Sequence, residues 1–350
     1  MPREVERILC WYRKKSRQGL PWRETRDPYR IWISEAMLQQ TQVATVIPYY
    51  ERFLNRFPTV QALSRAPVTD VLESWSGLGY YSRAKNLHAC AQTIVREHAG
   101  RLPDEVDSLM KLSGIGRTTA GAIASIAYDR PAPVLDGNVQ RVFSRYFGIR
   151  EDPRRPAVQR RLWELAERLV PDKSPGDFNQ ALMDLGATVC APRQPRCGLC
   201  PVSRGCRARR NGWQEEIPPP RAAVRRKKIQ YLCGILEKNG SVLIARRPLS
   251  GLLPGLWEFP GGEKEPGETP AAGIRRLIAG RLGLRAQAAE PRAALTQILS
   301  HRELEIQLFI VRCRAGRLKL SWYTRARWVP KKELARVSFT AGMSKLAGQL

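Results

Sequence analysis

Four cysteines, Cys190, Cys197, Cys200 and Cys206, crowd together in the spacing C-x6-C-x2-C-x5-C, whereas Cys10, Cys90, Cys233 and Cys313 are scattered among apolar neighbours. Thiolates are soft ligands, and four in one short loop suit zinc or a [4Fe-4S] cluster; the donor set alone does not separate the two. A second chemical feature is the run from Leu112 to Gly121, in which Gly114 and Gly116 form a tight turn directly before a helix rich in small residues. Bare glycine amides and the partial positive charge of a helix N-terminus together accept a phosphate without reading base sequence. Two carboxylates complete the set. Asp136 precedes a helix, where it caps free amides and is also available for chemistry. Glu35 shares a helix face with Leu38 and Gln39, neighbours able to keep a carboxyl group partly dry and so raise its pKa.

These groups need elements to hold them. From Val5 to about Arg210 apolar residues recur at intervals of three and four, as in Val71-Leu72-Trp75 and Leu162-Trp163-Leu165-Ala166-Leu169, with Pro or Gly breaks between runs. This predicts an all-α domain over residues 1–214. Three prolines and five basic residues in Glu215 to Lys228 forbid a helix and keep the chain solvated, so 215–228 reads as a linker. Beyond it, Ile229 to Ile235 and Ser241 to Ala245 flank Asn239-Gly240, a hairpin signal, and Leu304 to Cys313 alternates like a strand. Residues 229–350 are therefore expected to form an α+β domain, giving a two-domain protein without tandem repeats. A length of 350 residues agrees with two cores.

Lys and Arg number 59 against 32 Asp and Glu, a formal net charge of +27, and the basic residues are interspersed with acids and nine Trp rather than gathered in a tail. That pattern points to a folded binder of nucleic acid. No stretch approaches the roughly 18 apolar residues of a membrane span, and Met1-Pro2-Arg3-Glu4 lacks the apolar core of a signal peptide, so a cytoplasmic, DNA-associated location and no membrane partner are expected. In such a reducing compartment the clustered cysteines suggest metal rather than disulfides.

Pro21-Trp22-Arg23 and Ile31-Trp32-Ile33-Ser34-Glu35-Ala36-Met37-Leu38-Gln39-Gln40-Thr41-Gln42-Val43, together with Val134-Leu135-Asp136-Gly137-Asn138, the glycine hairpin and the cysteine spacing, resemble the adenine DNA glycosylases of the endonuclease III, helix-hairpin-helix superfamily. The resemblance implies an N-terminal helix-hairpin-helix domain with one [4Fe-4S] cluster on Cys190, Cys197, Cys200 and Cys206. It implies removal of adenine mispaired with 8-oxoguanine or guanine in duplex DNA by a monomer. Glu35 takes the place of the general acid that protonates N7, and Asp136 that of the carboxylate stabilising an oxocarbenium-like sugar, with Asn138 orienting the site. Trp22, Arg23, Leu38, Val43 and Gln180 align with the adenine pocket. Gln40 and Tyr80 align with residues that enter the duplex, beside Thr41 and Leu78, and fill the gap left when the base is extruded. Thr118 stands where bifunctional relatives carry a Schiff-base lysine, which implies a monofunctional enzyme.

In the C-terminal half, Gly262, Glu268, Arg276 and Gly283 retain the frame of the Nudix box, but Leu277, Gly280 and Arg281 replace its other glutamates and offer magnesium no carboxylate. A Nudix-like recognition domain is implied, with Leu299-Ser300-His301 resembling the loop that reads 8-oxoguanine through Ser300 and His301. The competing readings are an endonuclease III-like lyase, which would not need Glu35 or the C-terminal domain; a DNA-binding protein without activity, which leaves Glu35 and Asp136 unexplained; and a Nudix hydrolase.

Overall fold

The structure, a computed structural model, describes residues 2–15, 17, 19–220, 226–299, 301–314 and 316–350. Ser300 and residues 221–225 of the expected linker lie outside the described residues. The chain divides into two compact units, Met1–Ala66 with Lys85–Ala222, and Pro67–Ala84 with Ala223–Leu350.

Helices α1 (Pro2–Lys15), α2 (Pro28–Leu38), α3 (Val43–Arg56), α4 (Val60–Arg65), α5 (Val68–Ser74), α6 (Ser82–Glu97), α7 (Val106–Met110), α8 (Arg117–Tyr128), α9 (Gly137–Phe147), α10 (Pro156–Leu169), α11 (Pro175–Asp184) and α12 (Arg207–Arg210) follow in order. All but α5 and the first residues of α6 lie in the first unit. Its core joins Ile8 of α1 to Val139 and Phe143 of α9, Leu162 and Leu165 of α10, and Phe178 and Leu182 of α11. The local signals act where they stand. Asp27 caps α2 by accepting from the Tyr29 amide at 2.9 Å, with Pro28 in the first turn, and Gly148 ends α9 in the left-handed region at φ 67°.

The second unit holds β1 (Lys227–Ile235), β2 (Glu237–Lys238), β3 (Ser241–Arg246), β4 (Trp257–Glu258), β5 (Gly261–Glu263), α13 (Pro270–Leu282), β6 (Ala286–Ile298), β7 (Arg302–Cys313), β8 (Arg325–Pro330) and α14 (Ala341–Ala347). One sheet has the order β5-β1-β7-β6 with β1 parallel to β7; in the other, β3 pairs with β2, β4 and β8. Residues along β1 alternate between two cores. Ile229, Tyr231, Cys233 and Ile235 face the core that includes Met343 and Leu346 of α14, while Leu232 joins Ile274 and Ile278 of α13. The hairpin at Asn239-Gly240 is present, both residues having positive φ, but its strands are the short β2 and β3. The longer β1 is drawn away into the other sheet because both its faces are apolar and find cover there. The strand also begins at Lys227, inside the expected linker.

α5 groups with this second unit through Glu73, which pairs with Arg246 at 3.3 Å, and through Ser76, whose hydroxyl donates to the Phe339 carbonyl at 2.9 Å. At the heart of the unit Arg247 and Glu258, both nearly inaccessible, form an ion pair at 2.5 Å, and the hydroxyls of Tyr231 and Tyr323 donate to the same carboxylate. A buried pair is tolerated when its remaining lone pairs are filled in this way.

Candidate active site

Glu35 lies near the end of α2, which packs on α8 of the glycine hairpin. Its carboxyl is pushed up to about 7, first by burial and next by the charge of Asp136, with Arg23 opposing. The helix ends at Leu38, and the Gln39 amide turns away to donate to the Thr119 hydroxyl at 3.3 Å.

Asp136 is both the N-cap of α9 and a member of the site. Its Oδ1 accepts from the amides of Asn138 at 3.0 Å and Val139 at 2.8 Å, and its Oδ2 accepts from the Asn138 side chain at 2.8 Å. Burial raises its pKa, while these bonds and the charge of Arg141 pull the other way. The candidate site therefore contains two carboxyl groups whose pKa values burial raises: Glu35, pushed up to about 7, and Asp136, raised against three hydrogen bonds that favour its anion. Unlike surroundings of this kind are how a pair of carboxyls divides acid and anion roles.

Arg23 is fixed from behind. It donates to Asp184 at 2.7 Å and to the Arg17 carbonyl at 2.9 Å, and Arg17 also binds Asp184. Burial would raise the Asp184 pKa, but the hydrogen bonds and charges of the two arginines outweigh it and hold the group below the usual range. Arg23 and Gln180 line one polar pocket of about 120 Å³ with Ser125 and Asp129. Trp22, Leu38 and Val43 are not among its lining residues: Trp22 is buried edge-on against Tyr50 with ring centroids 5.4 Å apart, Leu38 closes α2, and Val43 opens α3. Thr118 donates to the Leu135 carbonyl at 3.2 Å, next to Asp136. In the turn between α2 and α3, Gln40 is exposed and left-handed at φ 57°, and the Thr41 amide donates to Leu38 at 3.3 Å.

The hairpin needs glycine at Gly114 for two reasons. Gly114 has φ 78°, and a Cβ there would stand 2.6 Å from Asn86; Gly116 is the N-cap of α8 with open space at its Cβ. No side chain screens the first amides of that helix at Gly116.

The four clustered cysteines line one small cavity, with Arg145 at its wall. Among the described residues no three His, Cys, Asp or Glu side chains converge on a single ion. The carbonyls of the loop are gathered by buried Arg145, which donates to Cys190 at 3.3 Å, Ala191 at 2.7 Å, Pro192 at 3.0 Å and Ile217 at 2.7 Å, and reaches the Cys190 sulfur at 3.4 Å. Arg141, one turn earlier, donates to Cys190 and Gly186 carbonyls and to Asn138 Oδ1, each within 2.9 Å. A continuous path of hydrogen bonds thus runs from Asp136 through Asn138 and Arg141 to Cys190. Sequence reasoning missed Arg141 and Arg145, although their spacing from Asn138 on α9 places all three on one helical face. Asp184 carried no comparable signal.

Gly186 closes the same contact. A Cβ there would meet Asn138 Cβ at 2.5 Å and its backbone at 2.9 Å, atoms that cannot swing aside. Gly186→Ala is expected to cost about 1–3 kcal/mol, read as a lower urea midpoint at unchanged slope.

In the second unit Leu78 is buried and Tyr80 is 40% exposed with φ 48°; the neighbouring Tyr81 is a core residue whose hydroxyl accepts from the Gly77 amide at 3.2 Å. His301 is exposed at the β6–β7 turn, where its carbonyl accepts from Lys227 at 3.1 Å, and the Leu299 amide donates to Arg302 at 2.8 Å. Of the positions that differ from the Nudix box, Leu277 is buried in the core and the Arg281 guanidinium stacks 3.8 Å from the Trp322 ring centroid. Glu268 is tied to Arg276 at 2.7 Å, whose hydrogen bond holds it down to about 2.

Residues 33–168 match the family described as HhH-GPD superfamily base excision DNA repair protein, and residues 231–349 match the NUDIX domain. The chain is 36% identical to an adenine DNA glycosylase of Rattus norvegicus, an alignment that covers 97% of the chain and 76% of that protein. It is 42% identical to one of Homo sapiens over 75% of the chain and 58% of that protein. Among solved structures, a thermostable thymine-DNA glycosylase aligns with 59% of the chain and 95% of its own at a TM-score of 0.54 and 32% identity.

Proposed function

The chain belongs to the adenine DNA glycosylase family, and from that premise we propose that it excises adenine mispaired with 8-oxoguanine or guanine in duplex DNA as a monofunctional base-excision enzyme. The observation that carries the reading is the buried Glu35, whose carboxyl is pushed up to about 7 by burial and by the charge of Asp136, together with the three hydrogen bonds that Asp136 accepts. Adenine is a poor leaving anion. Glu35 donates a proton to N7 as the bond between the sugar C1′ and N9 lengthens, and the bonding pair leaves with the base. Asp136, steadied by Asn138, stabilises the positive charge that grows on the sugar until water adds to it. The hydroxyl of Thr118 cannot form a Schiff base, so no strand cleavage follows.

Other parts of the chain supply binding. The amides at Gly114 and Gly116 hold a phosphate, and Trp22, Arg23, Leu38, Val43 and Gln180 receive the extruded base. Gln40, Thr41, Leu78 and Tyr80 occupy the duplex gap, and Ser300 and His301 read 8-oxoguanine. Cys190, Cys197, Cys200 and Cys206 would hold a [4Fe-4S] cluster, which would fix the basic loop against DNA; all four thiols line one small cavity, a donor set that fits the group. In this reading residues 1–214 form the glycosylase domain, 215–228 the linker and 229–350 the lesion-recognition domain of a monomer that works wherever the DNA is. No described helix is long and apolar enough to cross a membrane.

The test uses duplexes with adenine opposite 8-oxoguanine, guanine or thymine, followed by alkali. Cleavage at the adenine of the first two pairs and not the third is the expected result. Cleavage of none of them by protein with a full complement of iron would sink the reading, and strand nicking without alkali would favour a lyase.

A further inference from the structure

The loop that presents Tyr80 is an improbable piece of backbone. Gly77 has φ 102°, Gly79 φ 74° and Tyr80 φ 48°, and a non-glycine residue in the left-handed region is strained. Such a shape persists only where its surroundings over-determine it. Here the surroundings converge on one side chain. The Arg83 guanidinium, in a residue only 8% exposed, donates from Nη2 to the carbonyls of Leu78 at 3.3 Å and Gly79 at 3.2 Å, while lying 5.2 Å from the Trp75 ring centroid and 5.4 Å from that of Tyr80. Trp75 adds a bond from its ring N–H to Gly79 at 3.1 Å.

We propose that Arg83 is a positioning residue, which fixes the Gly77–Tyr80 loop so that the Tyr80 ring stands out ready to enter a duplex. The geometry requires a guanidinium. Its terminal Nη2 donates to two successive carbonyls while the planar, weakly hydrated cation lies within 5.4 Å of two ring centroids, a combination that a compact, strongly hydrated lysine ammonium does not reproduce. Burial pushes Arg83 down to about 10, so the cation is retained at neutral pH. The loop carbonyls it binds are those whose orientation sets φ at Gly79 and Tyr80, and the ring it supports is 40% exposed. The consequence for activity rests on the reading that Tyr80 is the duplex wedge.

Two measurements on the full chain test this. Amide hydrogen exchange of free Arg83→Ala and Arg83→Lys is expected to quicken over residues 77–82 and to be unchanged in α8 and α9; unaltered exchange of the loop in both variants overturns the proposal, whatever the enzyme does. With a duplex carrying 2-aminopurine opposite 8-oxoguanine, wild type is expected to raise the fluorescence as the base unstacks. Arg83→Ala and Tyr80→Ala should each lose that rise and slow single-turnover adenine release by about tenfold to a hundredfold. The double variant should be no slower than Tyr80→Ala, because Arg83 acts only through that ring, and methylguanidinium should restore Arg83→Ala but not Tyr80→Ala. Additive losses in the double variant would show a general structural role and overturn the proposal. Absence of adenine release by wild type would instead defeat the function proposed above, leaving hydrogen exchange to judge Arg83.

Discussion

Glu35→Gln is expected to reduce adenine release by about 10² to 10⁴-fold and, at the same time, to make the protein more stable above neutral pH. Both effects come from one displaced titration. The carboxyl has a pKa near 4.5 in the unfolded chain and about 7 in the folded one, so the folded state binds the proton more tightly. Below about pH 4.5 the group is neutral in both states and contributes no difference. Between these values the unfolded chain loses its proton first, which favours unfolding; above about pH 7 the penalty is complete, at roughly 3 kcal/mol. Glutamine removes that penalty. Thermal melting at pH 8 should therefore show Glu35→Gln above wild type, with most of the gain gone at pH 5. In the wild type, adenine release should decline as pH rises through about 7, where the acid loses its proton, and decline again in acid as Asp136 becomes neutral. Equal melting temperatures at pH 8, or a release rate flat from pH 6 to 9, would show that Glu35 is not the dry acid argued for here.

Arg145→Met should be the most damaging single change outside the carboxyl pair. The change leaves the carbonyls of Ala191, Pro192 and Ile217 without their guanidinium donor, while Cys190 keeps its bond from Arg141 at 2.8 Å; the arginine itself is 2% exposed. Each buried acceptor left unmatched costs about 1–3 kcal/mol, so a loss of about 2–5 kcal/mol is expected. That is a large share of a typical domain's stability. Arg145→Lys should recover little, since one ammonium cannot address carbonyls spread from Cys190 to Ile217. The check is iron content and urea midpoint of the purified variants. Retention of iron with a midpoint near that of the wild type would mean that the loop holds its shape without Arg145.

Some of this could be read directly from the chain. The capping role of Asp136 followed from an acid ahead of an amphipathic helix, and α9 begins at Gly137. Gly114 of the hairpin stands in left-handed backbone that its lack of a side chain permits. Strand alternation in Leu304 to Cys313 matched β7, while the partner of β1 was misjudged. A hairpin signal reports only on the two residues of its turn, and it could not show that β1 would lie parallel to β7, from which the chain separates it by β2 to β5, α13 and β6.

The active-site residues divide in the same manner. Glu35 was identifiable as a candidate through resemblance to a family, and the helix that carries it stops at Leu38, one residue before Gln39. Arg83 stood beside the loop motif and still gave no hint of its task, since a basic residue after two tyrosines reads as solvated until its guanidinium is seen under their neighbour's ring.

What could be known from the linear chain was whatever depends on near neighbours: helix starts and stops, glycine turns, four thiols in one loop, a positive charge suited to polyanions. Proton affinity at Glu35, the clamp of Arg17 and Arg23 on Asp184, and the path from Asp136 to Cys190 required folding, because each joins groups from distant parts of the chain. Desolvation and charge–charge terms depend on distance through space, and no spacing in sequence encodes that distance.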